Sequence, residues 1–155
     1  MNGLRIEIEL DAPEAALSPA AGEPLPRRPP VQWQPGETLT GEFRIANASG
    51  HKLRAAECSI LWYTLGKGDE DLQVHALERF ELASDGRSVS SCTRPFSFTL
   101  PPSPQSYDGV IVKIRWCVRV RIFLTGGQEV VSETPIVLGN TASVRLAEPI
   151  SELVP

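Results

Sequence analysis

Four cations recur on one parity of the segment Gly109 to Leu124, GVIVKIRWCVRVRIFL: Lys113, Arg115, Arg119 and Arg121. The other parity, Val110, Val112, Ile114, Trp116, Val118, Val120 and Ile122, is apolar throughout. Alternation held this long, in β-branched and aromatic residues, marks a strand with one buried face. A helix would scatter the cations around its circumference. A strand lines them up in a single stripe, about 26 Å from Lys113 to Arg121 at about 3.3 Å per residue. Such a stripe can hold an acidic peptide, a phosphorylated segment or an anionic lipid headgroup through charge-assisted hydrogen bonds. Its structural reading is that Glu7, Glu42, Glu57, Glu78 or Glu81 answers it from neighbouring strands. Each exposed pair would then contribute only some tenths of a kcal/mol.

The segment Gly66 to Asp71, GKGDED, has too few glycines for a phosphate loop and no helix behind it. Asp69, Glu70 and Asp71 suit a hard cation in type, but the twelve-residue loop of alternating calcium ligands is absent, so no metal site is assigned. A solvated hairpin tip fits these residues. If the segment has a role, it is to dock a partner through Lys67, Asp69, Glu70 and Asp71, with Tyr107 in the 101–108 loop as a further contact. Ser59, His75 and Asp71 make a catalytic set on paper only, since no serine sits in a nucleophile elbow. Cys117 falls between Arg115 and Arg119, where nearby cations would lower its pKa; cover by a neighbour would leave it a quiet thiol. Cys58, Cys92 and Cys117 show no zinc-like spacing. An odd, scattered set suits reduced cytosolic thiols better than disulfides.

The elements that must carry these residues are strands. A chain of 155 residues, 41% hydrophobic and 22% charged, has the size and composition of one soluble domain over 1–155. A net charge of -4 disfavours general nucleic-acid binding. No apolar run reaches membrane-spanning length and the N-terminus lacks a signal-peptide core, which points to the cytoplasm. Leu4, Ile6, Ile8 and Leu10 alternate with charges in a first strand. Residues 12–35 carry seven prolines and form a long proline-rich loop, either wrapping the domain or offering LPRRPP as an SH3-type ligand. Further strands follow at Thr38 to Ala46, Leu53 to Leu65, Leu72 to Ala83 (with a bulge or twist), Cys92 to Leu100, Gly109 to Leu124, Glu129 to Leu138 and Thr141 to Leu146. Turns fall at Pro35-Gly36-Glu37, Asn47 to Gly50, Ser84 to Arg87 and Gly126-Gly127. Trp33, Trp62 and Trp116 read as core anchors, Trp33 also as a pin for the proline-rich loop. With seven to nine strands and no helical period, the fold is an all-β, antiparallel immunoglobulin-like sandwich.

Three segments, in this order and at these separations, resemble the arrestin-like clan, which includes arrestins, the cargo-binding retromer subunit of that fold and bacterial sporulation-control proteins. They are Pro35-Gly36-Glu37-Thr38-Leu39-Thr40-Gly41, then Phe96-Ser97-Phe98-Thr99-Leu100-Pro101, then Pro104-Gln105-Ser106-Tyr107-Asp108-Gly109 leading into the strand with Trp116. The resemblance implies one arrestin-like sandwich, where arrestins carry two, acting as a non-enzymatic adaptor with no cofactor. Glu7 and Glu9 stand where receptor arrestins keep paired lysines, and no PPxY motif occurs, so neither phosphoreceptor sensing nor ubiquitin-ligase recruitment carries over. The expectation is a cytoplasmic adaptor binding a protein partner through strand edges, the basic stripe and the loops, its open edges also admitting a homodimer. The alternatives are a membrane-peripheral module on anionic lipid and a small-molecule-binding sandwich.

Overall fold

The computed structural model describes residues 3–12, 32–46, 52–68, 70–82 and 92–139, and the backbone of 150–154. Its described residues form ten strands and no helix. They are β1 (Arg5–Leu10), β2 (Gln32–Trp33), β3 (Thr38–Ala46), β4 (Leu53–Gly66), β5 (Leu72–Glu81), β6 (Cys92–Thr99), β7 (Tyr107–Asp108), β8 (Val112–Leu124), β9 (Glu129–Leu138) and β10 (Ile150–Val154). A three-stranded sheet, β1-β3-β6, packs on a larger one ordered β10-β9-β8-β4-β5, with β2 added to β9 and β7 to β8. All pairings are antiparallel except that of β2 with β9. The fold is an arrestin-like sandwich. The expected strand at 141–146, the turns at 47–50 and 84–87, and most of the proline-rich loop lie outside the described residues.

Alternation decides which side chains meet between the sheets. Leu39, Phe43 and Ile45 of β3 and Phe96 and Phe98 of β6 face Ala56, Cys58 and Ile60 of β4 and Trp116, Val118, Val120 and Ile122 of β8. All are buried, and a Phe43–Phe80 edge-to-face contact at 5.4 Å closes one margin. β5 carries the expected irregularity: Ile60 pairs with Ala76 but Leu61 with Val74, leaving His75 as the extra residue of a bulge. The bulge turns His75 inward, where its Nε2 lies 3.2 Å from the Thr99 carbonyl and its ring meets Trp116 edge-on.

The three segments that carry the arrestin-like resemblance converge on one end of this core. Gly36 N donates to Leu100 O and Leu100 N to Glu37 O, which ties the first segment to the second. The third segment is anchored by Trp116 Nε1 donating to Pro104 O at 2.8 Å and by Ser106, whose N donates to Leu138 O and whose Oγ accepts from Leu138 N. Trp33, through β2, is pinned against β9 and fully buried, as its anchoring role requires.

The start of β8 differs from the sequence pattern. β8 begins at Val112, three residues later than Gly109, because Gly109 to Ile111 turn the chain: Gly109 N donates to Val112 O. Val110 and Ile111, apolar by type, therefore stand in solvent. Gly41, the last residue of the first segment, marks a close approach. A Cβ there would run into the Glu9 carbonyl of β1 and the Phe96 ring of β6, so both flanking strands pack directly on its backbone. Gly41→Ala should destabilise the protein by about 1–3 kcal/mol, as overpacking does. Urea unfolding followed by tryptophan fluorescence would show this as a lower midpoint.

Candidate functional site

The outer face of the larger sheet carries the residues whose types suggested function. Along β8 this face reads Lys113, Arg115, Cys117, Arg119, Arg121 and Phe123, and the register of its neighbours places a carboxylate beside each cation. The Gly126-Gly127 hairpin sets β8 against β9 so that Arg119 lies directly opposite Glu133. Its guanidinium donates to Glu133 Oε1 at 2.7–2.8 Å. Arg121, one diagonal from Glu129, reaches Glu129 Oε2 at 2.7 Å. At the other end β7 lays Asp108 opposite Lys113. Asp108 Oδ1 takes contacts from Lys113 Nζ at 3.5 Å and Arg115 Nη2 at 3.4 Å, while Arg115 Nη1 donates to Tyr107 O at 3.1 Å.

The carboxylates bonded to the stripe are thus Asp108, Glu129 and Glu133; of the five expected acids only Glu57 stands beside it, opposite Arg121 in the register. Glu7 and Glu42 belong to the other sheet, where Glu7 pairs with Arg5 and Arg44. Glu57 and Glu81 hold Arg79, and Glu78 lies near the buried Cys58 thiol. Counting back from the Gly-Gly hairpin would have found Glu133 and Glu129. Asp108 needed the short β7, which no periodicity announces.

Burial along the stripe is graded. Lys113 is half exposed, Arg121 and Arg119 progressively less so, and Arg115 is buried, with 6% of its surface exposed. Burial opposes the charge on Asp108, but Lys113 and Arg115 together hold its carboxyl below the usual range. Beyond Arg121, the Phe123 ring lies under three guanidinium groups, those of Arg54, Arg79 and Arg121, at 5.2–5.9 Å.

Cys117 does not behave as its arginine neighbours suggested. Burial, with the Glu133 carboxylate 3.8 Å from Sγ, outweighs the opposing effect of Arg119 and pushes its thiol up to about 12. Burial first and Glu78 second push Cys58 up to about 12 as well. Ser59 lies on the outer face and His75 on the inner, so the paper triad is not brought together. Asp71 is held instead by its own hairpin, its N donating to Thr64 Oγ1 at 2.9 Å. Among the described residues no cluster of His, Cys, Asp and Glu could hold a metal ion. Asp69 falls outside them.

The β4–β5 hairpin and the Arg119–Glu133 pair enclose a shallow cavity of about 400 Å³, floored by Tyr63 and Leu72 and edged by Glu70 and Asp71. Burial raises the Tyr63 phenol above its ordinary pKa, keeping it a neutral donor. Beside the cavity, β5 closes the sheet's order and has no further strand among the described residues. Leu72, Val74 and Leu77 stand about half exposed along it. This apolar margin was not read as a surface from the sequence, because its alternation is that of any half-buried strand. Lys67 sits in the turn at the hairpin's tip, and Tyr107 is half exposed beside the turn that precedes β8.

Two outcomes follow from these environments. Arg115→Ala should lower the melting temperature by several degrees, because it strands a carboxylate and a carbonyl that a buried guanidinium now serves. Arg121→Ala should stay within about two degrees, as exposed substitutions do; scanning calorimetry separates the cases. The fold favours the neutral Cys58 and Cys117 thiols, so their contribution is complete below pH 9 and is lost as pH rises toward about 12. A disulfide reagent at pH 8 should therefore titrate only Cys92 in the native protein and all three cysteines in denaturant.

No family model matches the sequence, and a search of the curated proteins finds no relative. Solved structures do match. The crystal structure of Spo0M, a sporulation control protein from Bacillus subtilis, superposes with a TM-score of 0.57 at 12% identity, covering 91% of this chain and 51% of that one. The chain thus spans about half the length of that protein, and at this identity the likeness is one of fold. Among the described residues no helix is long and apolar enough to cross a membrane. What the comparison establishes is the arrestin-like sandwich, the architecture to which the three sequence segments pointed.

Proposed function

We propose that this chain is a non-enzymatic, cytoplasmic adaptor domain that holds a protein partner along the β5 margin of its larger sheet. The observation carrying this reading is the half-exposed row Leu72, Val74 and Leu77 on the last strand of that sheet, continuous with the cavity over Tyr63. A sheet margin with apolar side chains suits an extended segment that adds backbone hydrogen bonds and seats alternate side chains. Glu70, Asp71 and the Arg119–Glu133 pair border it. The acids there favour a partner segment that alternates apolar and basic residues.

The basic stripe has a smaller part in this reading than its sequence suggested. A cation already bonded to a carboxylate offers an incoming anion little net charge, and each exchange must break an existing pair. The arrestin-like fold supports the adaptor reading at the level of architecture only.

The test is affinity capture from native lysate with wild type beside a Val74→Glu, Leu77→Glu double variant. Both side chains are exposed, so the variant should melt within a few degrees of wild type. A protein retained by wild type and lost by the folded variant supports the margin as the binding site. Identical capture by both overturns it.

A further inference from the structure

Away from the β5 margin, the largest unexplained apolar exposure among the described residues is the turn between β7 and β8. Val110 is fully exposed, Ile111 is more than two-thirds exposed, and Val112 and the Tyr107 ring remain partly in water. Three consecutive β-branched residues at a turn tip are costly to leave in solvent unless something covers them. The turn is well held. Gly109 N donates to Val112 O at 3.0 Å, and Lys67 N donates to Ile111 O at 3.3 Å from the adjoining hairpin. Gly66, at φ +143°, makes that contact possible, since a Cβ there would strike the Ile111 carbonyl.

We infer that this tip inserts into the surface of a phospholipid bilayer, Val110 and Ile111 entering the acyl boundary and Tyr107 resting at headgroup depth. Three features favour a bilayer over a protein as the occupant. The apolar group is a convex knob of four side chains, far short of the roughly 800 Å² per partner that a stable protein interface buries, whereas a bilayer accepts a few aliphatic side chains. Lys67 adjoins the tip, and its ammonium group can rise along its stem to headgroup phosphates. The amphipathic Tyr107 ring at the base suits the membrane interface. The tip's carbonyls at Ile111 and Val112 are already bonded, which lowers the cost of taking its backbone out of water.

The lipid contact proposed here runs through the turn and not through the arginine stripe, whose charges are answered. It does not rest on the β5 reading. Glu70 and Asp71 stand on the neighbouring hairpin, so neutral lipid should suffice and anionic lipid should add little.

The experiment is flotation of the purified chain with phosphatidylcholine vesicles, and with vesicles containing one-quarter phosphatidylglycerol. Wild type should float with both. Val110→Asp with Ile111→Asp should fall to background without a change in melting temperature, both side chains being in solvent. An environment-sensitive dye on Ile111→Cys, in a Cys92→Ser background, should shift to the blue on adding vesicles. Wild type that stays at the bottom with both vesicle types overturns the proposal, as does a double aspartate variant that floats as well as wild type. Flotation that needs phosphatidylglycerol and is lost in Arg121→Ala but kept in the aspartate variant would overturn it in favour of the stripe. Loss of a lysate partner by the aspartate variant, with no flotation by wild type, would overturn it in favour of a protein-docking knob.

Discussion

The pairing of β8 with β4 on one side and β9 on the other is the constraint from which the rest of this molecule follows. β8 is buried along its inner face and, at Arg115 and Cys117, on its outer face as well. Its even residues build the core around Trp116, while its odd residues carry a row of cations across the outer face. Charges can lie that deep only if carboxylates meet them, and the same register that seats Val118 and Val120 in the core sets Glu133 opposite Arg119. A slip of one residue would put arginines between the sheets and valines in water. The ion pairs therefore define the alignment more than they add to the net stability, which comes from the apolar face.

That dependence explains what could be read from the chain and what could not. The strands at 38–46 and 53–65 were legible as alternating runs bounded by turn signals, and the one at 129–138 from the Gly126-Gly127 hairpin before it. The bulge in β5 was legible as a broken parity, with Phe80 and Leu82 interrupting the polar face that includes Glu78. The partners of the stripe were not. Pairing between strands distant in sequence leaves no local trace, so the acids nearest in type were assigned where the hairpin register and the two-residue β7 actually supply others. The start of β8 failed for a related reason: a valine-isoleucine run has the same composition whether it is buried or turned into solvent, and only the Gly109 and Gly66 contacts decide which.

Burial also separates chemistry that composition alone would merge. A thiol flanked by arginines looks activated, yet desolvation and one carboxylate outweigh them at Cys117. A serine, a histidine and an aspartate within a short stretch look like a triad, yet Ser59 faces outward while the β5 bulge turns His75 to the inner face. Polar chemistry on this scaffold is spent on holding strands in register.

Among the described residues, the large exposed hydrophobic side chains fall into two groups. The two exposed groups, the Leu72–Val74–Leu77 row and the Val110–Ile111 tip, are joined through the β4–β5 hairpin, since Lys67 bonds the tip while Leu72 floors the cavity on the hairpin's other flank. A bilayer under the tip and an extended segment along β5 would therefore meet at one hairpin, which touches the tip through the Lys67–Ile111 bond and the cavity through Leu72. In a sandwich whose arginine stripe is already answered, this short hairpin is the connection between its two exposed apolar surfaces.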